Sequence, residues 1–160
     1  MSKYKYIYLI WLLPAYLLFL TIHQVLVYRG IGDTYENGQS YTAEVIEFDI
    51  KQIASQTNGY VVLDFTTREG EQVRRKLSLP VEIAGMISEL AQIPVRYQEG
   101  AFEEIVMIPT YNEHRNLALS NAAISFLGLL IALGIAWISH QFATRKLREG
   151  EEKLVFERID

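Results

Sequence analysis

The sequence predicts a membrane protein of mixed class, with two transmembrane helices flanking a small β domain. That domain reads either as an OB-like five-stranded barrel or as a small sheet with one short helix. Three observations carry the expectation. Two apolar segments without Asp, Glu, Lys or Arg, Tyr6 to Tyr28 and Leu117 to Ile138, bracket the middle of the chain. At a rise of about 1.5 Å per residue each reaches roughly 33 Å, enough to cross a hydrocarbon core of roughly 30 Å. The stretch between them alternates apolar and polar residues, and it is acidic. An apolar content of 50% with a mean hydropathy of only +0.09 fits a chain divided between lipid and water.

The expected organisation is a cytoplasmic N-terminus at 1–5, a first span at 6–28, an extracytoplasmic β domain at 29–116, a second span at 117–140 and a cytoplasmic tail at 141–160. Orientation follows from charge, because Lys and Arg beside membrane spans are retained on the cytoplasmic side. Lys3 and Lys5 precede the first span, and Arg145, Lys146 and Arg148 follow the second. Residues 29–116 carry 8 basic and 14 acidic side chains, a net of −6. The first segment reads as an uncleaved anchor rather than a signal peptide. Its apolar run is long, and Thr21 to Val27 offers no small-x-small cleavage pattern.

In the first span Tyr4, Tyr6, Tyr8 and Trp11 gather at one end and Tyr28 marks the other, as amphipathic rings do at a bilayer interface. Pro14 removes one backbone donor, and a kink is expected there. In the second span Ser125, Gly128, Ala132 and Ala136 form a stripe of small residues, which suits close helix packing. The occupant of that stripe is either another subunit or this chain's own first helix. The spans hold no acidic or basic side chain at depth, so proton relay, ion conduction and voltage sensing are not expected. Asn121, His23 and His140 lie near span ends, where water or headgroups satisfy them.

The middle domain opens with an extended run, Tyr41 to Ile50, in which Ile46, Phe48 and Ile50 are expected to share one face. A polar loop, Gln52 to Asn58, should precede a second strand, Tyr60 to Thr66, with Val61, Leu63 and Phe65 on one side. After a turn at Arg68-Glu69-Gly70, Val73 to Leu79 resumes the alternation. Pro80 then leads Val81, Ile83, Ala84, Ile87 and Leu90 at helical spacing, predicting a helix over Val81 to Ala91. Two strands follow, Val95 to Tyr97 and Glu104 to Ile108, parted by a turn at Glu99-Gly100. The order of three strands, a helix and two strands suits the barrel and the open sheet equally.

Candidate chemistry is sparse. The chain has no cysteine, which excludes disulfides, thiolate metal sites and thiol nucleophiles. No cofactor and no metal are expected. His114 has no second histidine at ligand spacing, and Glu103-Glu104 and Glu69/Glu71 read as solvated carboxylates rather than an acid/base pair. Arg74-Arg75-Lys76 is the one basic cluster, expected to pair across strands with Glu44, Glu47 or Asp64. Nucleic acid is not an expected partner, because a strand-binding barrel needs a basic groove. In the tail, Phe142, Leu147, Leu154 and Ile159 suggest an apolar stripe on a helix interrupted near Gly150.

Thr42-Ala43-Glu44-Val45 at the start of the domain, the strand Tyr60 to Phe65 before a Glu-Gly turn, and Ile93-Pro94-Val95-Arg96-Tyr97 near its end resemble an uncharacterised family of small bacterial two-pass membrane proteins. The likeness covers most of residues 6–138. Where that family's pattern runs into an Asn-Pro turn, this chain has Gln98-Glu99-Gly100. The resemblance implies a bacterial inner-membrane location with a periplasmic β domain and carries over no catalytic residue. The resulting expectation is a non-enzymatic accessory or scaffold subunit, whose partners are the lipid bilayer and other membrane subunits or further copies of itself. A membrane-anchored sensor or ligand-binding module, using the barrel face or the loop Gln52 to Asn58, is the second reading. A membrane-surface hydrolase is the third.

Overall fold

A computed structural model describes residues 8–53 and 56–156. Lys3, Tyr4, Lys5, Tyr6 and Ile159 lie outside the described residues, as does the centre of the expected polar loop, 54–55. In chain order the elements are α1 (Leu12–Asn37), β1 (Gln39–Ile53), β2 (Gln56–Thr66), β3 (Gln72–Pro80), α2 (Val81–Ile87), β4 (Gln92–Tyr97), β5 (Ile105–Met107), a 3-10 turn (Ile108–Thr110) and α3 (Tyr111–Phe156). They divide into two compact units. One comprises Met1–Gln24 and Asn121–Asp160, the other Val25–Ser120.

Both long helices have the length and composition to cross a membrane. Each runs further than its apolar segment. α1 continues from Tyr28 to Asn37, and α3 begins at Tyr111 and passes through Gly150 without interruption. A single interior glycine costs about 1 kcal/mol, and the flanking Arg, Glu and Lys are good helix formers. Pro14 also departs from expectation. Residues 8–11 form a 3-10 turn and α-helical bonding begins at Leu12, so Pro14 stands in the first α turn, where its missing N–H breaks no bond.

The second unit holds an antiparallel five-stranded sheet in the order β3-β2-β1-β4-β5, curled into a half-barrel with β3 and β5 at its edges. The concave face is filled by Val61, Leu63 and Phe65 of β2, Val73 and Leu79 of β3, Ile93, Val95 and Tyr97 of β4, and Ile105 and Met107 of β5. Ile83, Ala84 and Ile87 of α2 complete this core. α2 stops four residues short of the expected Ala91, because the chain must straighten into β4, where the Ala91 carbonyl accepts a bond from the Val45 N–H at 3.0 Å.

Two strand expectations are corrected. The register of β1 against β2 shifts between Val45 and Glu47, which leaves Ile46 as the extra residue of a β-bulge. Inward-facing positions change parity there. Tyr41 and Val45 pack on the core before the bulge and Phe48 after it, whereas Ile46 is 47% exposed and does not share the face of Phe48. The expected loop Gln52 to Asn58 is instead largely hairpin. Backbone pairing continues through Lys51↔Asn58 and Gln52↔Thr57 to Ile53↔Gln56, since the ladder is satisfied by main-chain groups whatever the polarity of the side chains.

The helix ends belong to the same unit as the sheet. Ile31 of α1, Val106 of β5 and Ala118 of α3 form a second buried cluster, covered by Val27, Tyr28, Tyr35 and Tyr111. Tyr35 and Tyr111 stack with centroids 3.8 Å apart. The Thr34 hydroxyl donates to the Glu103 carbonyl at 2.5 Å. Gly38 closes α1, its N–H bonded to the Thr34 carbonyl at 2.9 Å. A Cβ at position 38 would lie 2.4 Å from that oxygen and 3.1 Å from the Tyr97 carbonyl, so only glycine fits.

Candidate functional site

Two features present organised chemistry, one in each unit. In the helical unit the small residues of α3 lie along α1. Thr21 donates to the Ser125 hydroxyl at 3.1 Å, and a Cβ at Gly128 would rest 3.7 Å from a Leu17 methyl. Ala132 and Ala136 are buried. The buried positions also include Ala122, Leu129 and Ala143, so the face follows Ala122, Leu129, Ala136 and Ala143 at seven-residue intervals. That period keeps a seam in register with a neighbouring helix. Further along, His140 meets Tyr8 and Trp11 edge to ring, at 5.6 Å and 6.2 Å between centroids. Contacts that descend α1 while ascending α3 make the pair antiparallel.

In the sheet unit a cleft of about 430 Å³ opens where β1 begins and β2 and β4 end. Asn37, Gln39 and Tyr41 line one side, Thr67, Arg68, Glu69 and Glu71 the β2–β3 turn, and Tyr97, Gln98 and Glu99 the third side. The turn is set by backbone bonds from Thr67 to the Glu71 carbonyl at 2.8 Å and from Gly70 to the Thr67 carbonyl at 3.0 Å. The Glu71 N–H also donates to the Thr67 hydroxyl at 3.1 Å. Gln98 is held by its N–H on the Glu104 carbonyl at 2.9 Å.

The aromatic floor is continuous with the core. Tyr41 stacks on Phe65 at 5.2 Å, and Tyr97 meets both rings edge-on. The Tyr41 hydroxyl donates to Gln39 Oε1 at 2.7 Å. Tyr97 is 8% exposed. Burial first, then the charges of Glu104, Glu99 and Glu71, push its hydroxyl above the ordinary phenolic range and keep it protonated. This cleft lies at the opposite end of the β1–β2 hairpin from the loop Gln52 to Asn58, where the sequence placed a possible ligand.

The remaining candidates take structural roles. Arg74 stands opposite Asp64, Lys76 lies over the Tyr60 ring at 3.4 Å, and the Tyr60 hydroxyl donates to Glu47. That hydrogen bond, with some burial, pushes the Tyr60 hydroxyl upward. Arg75 reaches Glu104 at 3.6 Å. Three basic residues on an exposed edge strand also discourage strand addition by another basic edge. Glu104 is further engaged by the Gly100 N–H at 3.3 Å, and the Glu103 backbone receives Thr34. His114 is half-buried in the first turns of α3, and burial pushes its imidazole below the ordinary range. Among the described residues no group of three His, Cys, Asp or Glu converges as a metal ion requires. No protein-family model, curated protein or solved structure matches the chain.

Proposed function

We propose that this chain is a non-enzymatic accessory or scaffold subunit of a larger assembly in a bacterial inner membrane. Both termini face the cytoplasm, and the half-barrel, an OB-like arrangement in strand order, stands in the periplasm. The observation that carries this reading is the shared core of Ile31, Val106 and Ala118, which joins the sheet to the ends of both helices without a linker. The ends of both helices are thus part of the domain's own core and not a flexible linker leading to it. The basic flanks of the spans support the orientation.

Purification of the tagged full chain in a mild detergent tests the assignment. Stoichiometric co-purifying subunits, or a defined homo-oligomer, are the expected result. A monomer recovered alone would remove it. Orientation is separately accessible because the chain lacks cysteine. Met86→Cys, on exposed α2, should react with an impermeant maleimide from the periplasmic side, and Phe142→Cys should not. A second reading, a membrane-anchored ligand-binding module, is favoured by the cleft between the β2–β3 turn and the start of β1.

A further inference from the structure

We propose that the cleft at the open end of the half-barrel receives a basic side chain, an arginine or lysine, from an extended segment of a partner protein. This rests on the accessory-subunit reading and names the chemistry by which the partner is recognised. Its volume, about 430 Å³, lies within the range of ligand pockets.

The lining carries three carboxylates, Glu69, Glu71 and Glu99, against the single cation Arg68. Among the described residues none of the three forms an ion pair. A further observation points the same way. Tyr97, more than nine-tenths buried, lines the cleft, and its hydroxyl makes no hydrogen bond among the described residues. Its oxygen is free to accept a hydrogen bond from a ligand.

The shape of the acceptor set selects the class of cation. The carboxylates come from two separate turns and do not converge on one point, which disfavours a metal ion. A guanidinium presents five N–H donors over a plane, and an ammonium three on a long flexible stem, so either bridges dispersed acceptors. Tyr41 supplies an aromatic face at the same opening, and a cation over such a face gains further attraction. An anionic polymer would meet a local excess of like charge.

Fluorescence anisotropy on the full chain in phosphatidylcholine nanodiscs tests this with a labelled tetra-arginine peptide and its tetra-citrulline counterpart. The arginine peptide should bind saturably and the citrulline peptide should not. Glu69→Gln, Glu71→Gln and Glu99→Gln together should weaken binding about tenfold or more. The same charge change elsewhere, Glu44→Gln with Glu82→Gln and Glu89→Gln, should stay within about twofold. If the cleft triple variant loses its thermal transition, the single reversal Glu99→Lys at the exposed turn replaces it. Equal binding of the citrulline peptide, equal loss in both triple variants, or no saturation by the arginine peptide overturns the proposal. Co-purification separates the two readings. Partners retained equally by wild type and cleft variant leave the accessory role standing and remove the cleft from it, whereas absence of any partner removes the role itself.

Discussion

The helical unit and the sheet unit bury their residues in different currencies. Along α3 the buried face is made of Ala122, Ala132, Ala136 and Ala143 with one large residue, Leu129, and the half-buried Ser125, while Ile124, Leu127, Ile131, Ile135 and Ile138 remain exposed. In the sheet unit Leu63, Leu79, Ile83, Ile87 and Ile93 are enclosed and the charges lie outside. The second pattern is that of a fold driven by removal of apolar surface from water. The first leaves its largest side chains outward, as helices long and apolar enough to cross a membrane do, and relies on fit and a hydrogen bond between helices. The same substitution should therefore have different consequences in the two units.

The largest effect is expected in the sheet. Leu63→Ala removes a fully enclosed side chain at the centre of the half-barrel and should cost about 2–5 kcal/mol, read from the denaturation midpoint of the β signal. The helical unit should respond more to added volume than to lost volume. Ala136→Leu places a bulky side chain at a fully enclosed position and should cost about 1–3 kcal/mol. Reduced cross-linking between cysteines at Leu17 and Gly128 reports it. An unchanged cross-link would show that Ala136 is not confined by α1.

Polar links give smaller effects. Thr34→Val keeps the shape but leaves the Glu103 carbonyl without its donor, for an expected loss of about 1–1.5 kcal/mol. Hydrogen exchange at the Phe102 to Glu104 amides should rise. Thr21→Val, which removes the bond to Ser125, should cost only about 0.6 kcal/mol by subunit-unfolding measurements in bilayers. Gly128→Ala should be nearly silent, within about 0.5 kcal/mol, because the added methyl finds ordinary contact with Leu17 at 3.7 Å. A large loss there would mean that another helix, not Leu17 alone, lies against this face.

Several features of the fold are readable from residue patterns. Val61, Leu63 and Phe65 alternate because a strand presents successive side chains to opposite faces, and all three fill the core. Ile83, Ala84 and Ile87 announce α2 by their spacing. The bulge at Ile46 is not readable in this way, since the alternation of Ile46, Phe48 and Ile50 is intact within β1 and fails only against the register of β2. The extension of α1 to Asn37 leaves a weaker trace in the sequence. Val27, Ile31, Thr34 and Tyr35 recur at helical spacing up to the stop at Asn37-Gly38, yet the change from an all-apolar to a one-sided pattern resembles the end of a span.

The cleft shows the limit most clearly. Asn37, Tyr41, Glu69, Glu71, Tyr97 and Glu99 are scattered over more than a third of the chain and share no spacing. Apolar length already separates two helices able to cross a membrane from the β unit between them, because transfer free energies depend on composition and local period alone. Which residues meet is a property of register and curvature. The bulge in β1, the end of α1 at Gly38 and the two turns bring those carboxylates and rings to one opening, and only the paired strands decide it.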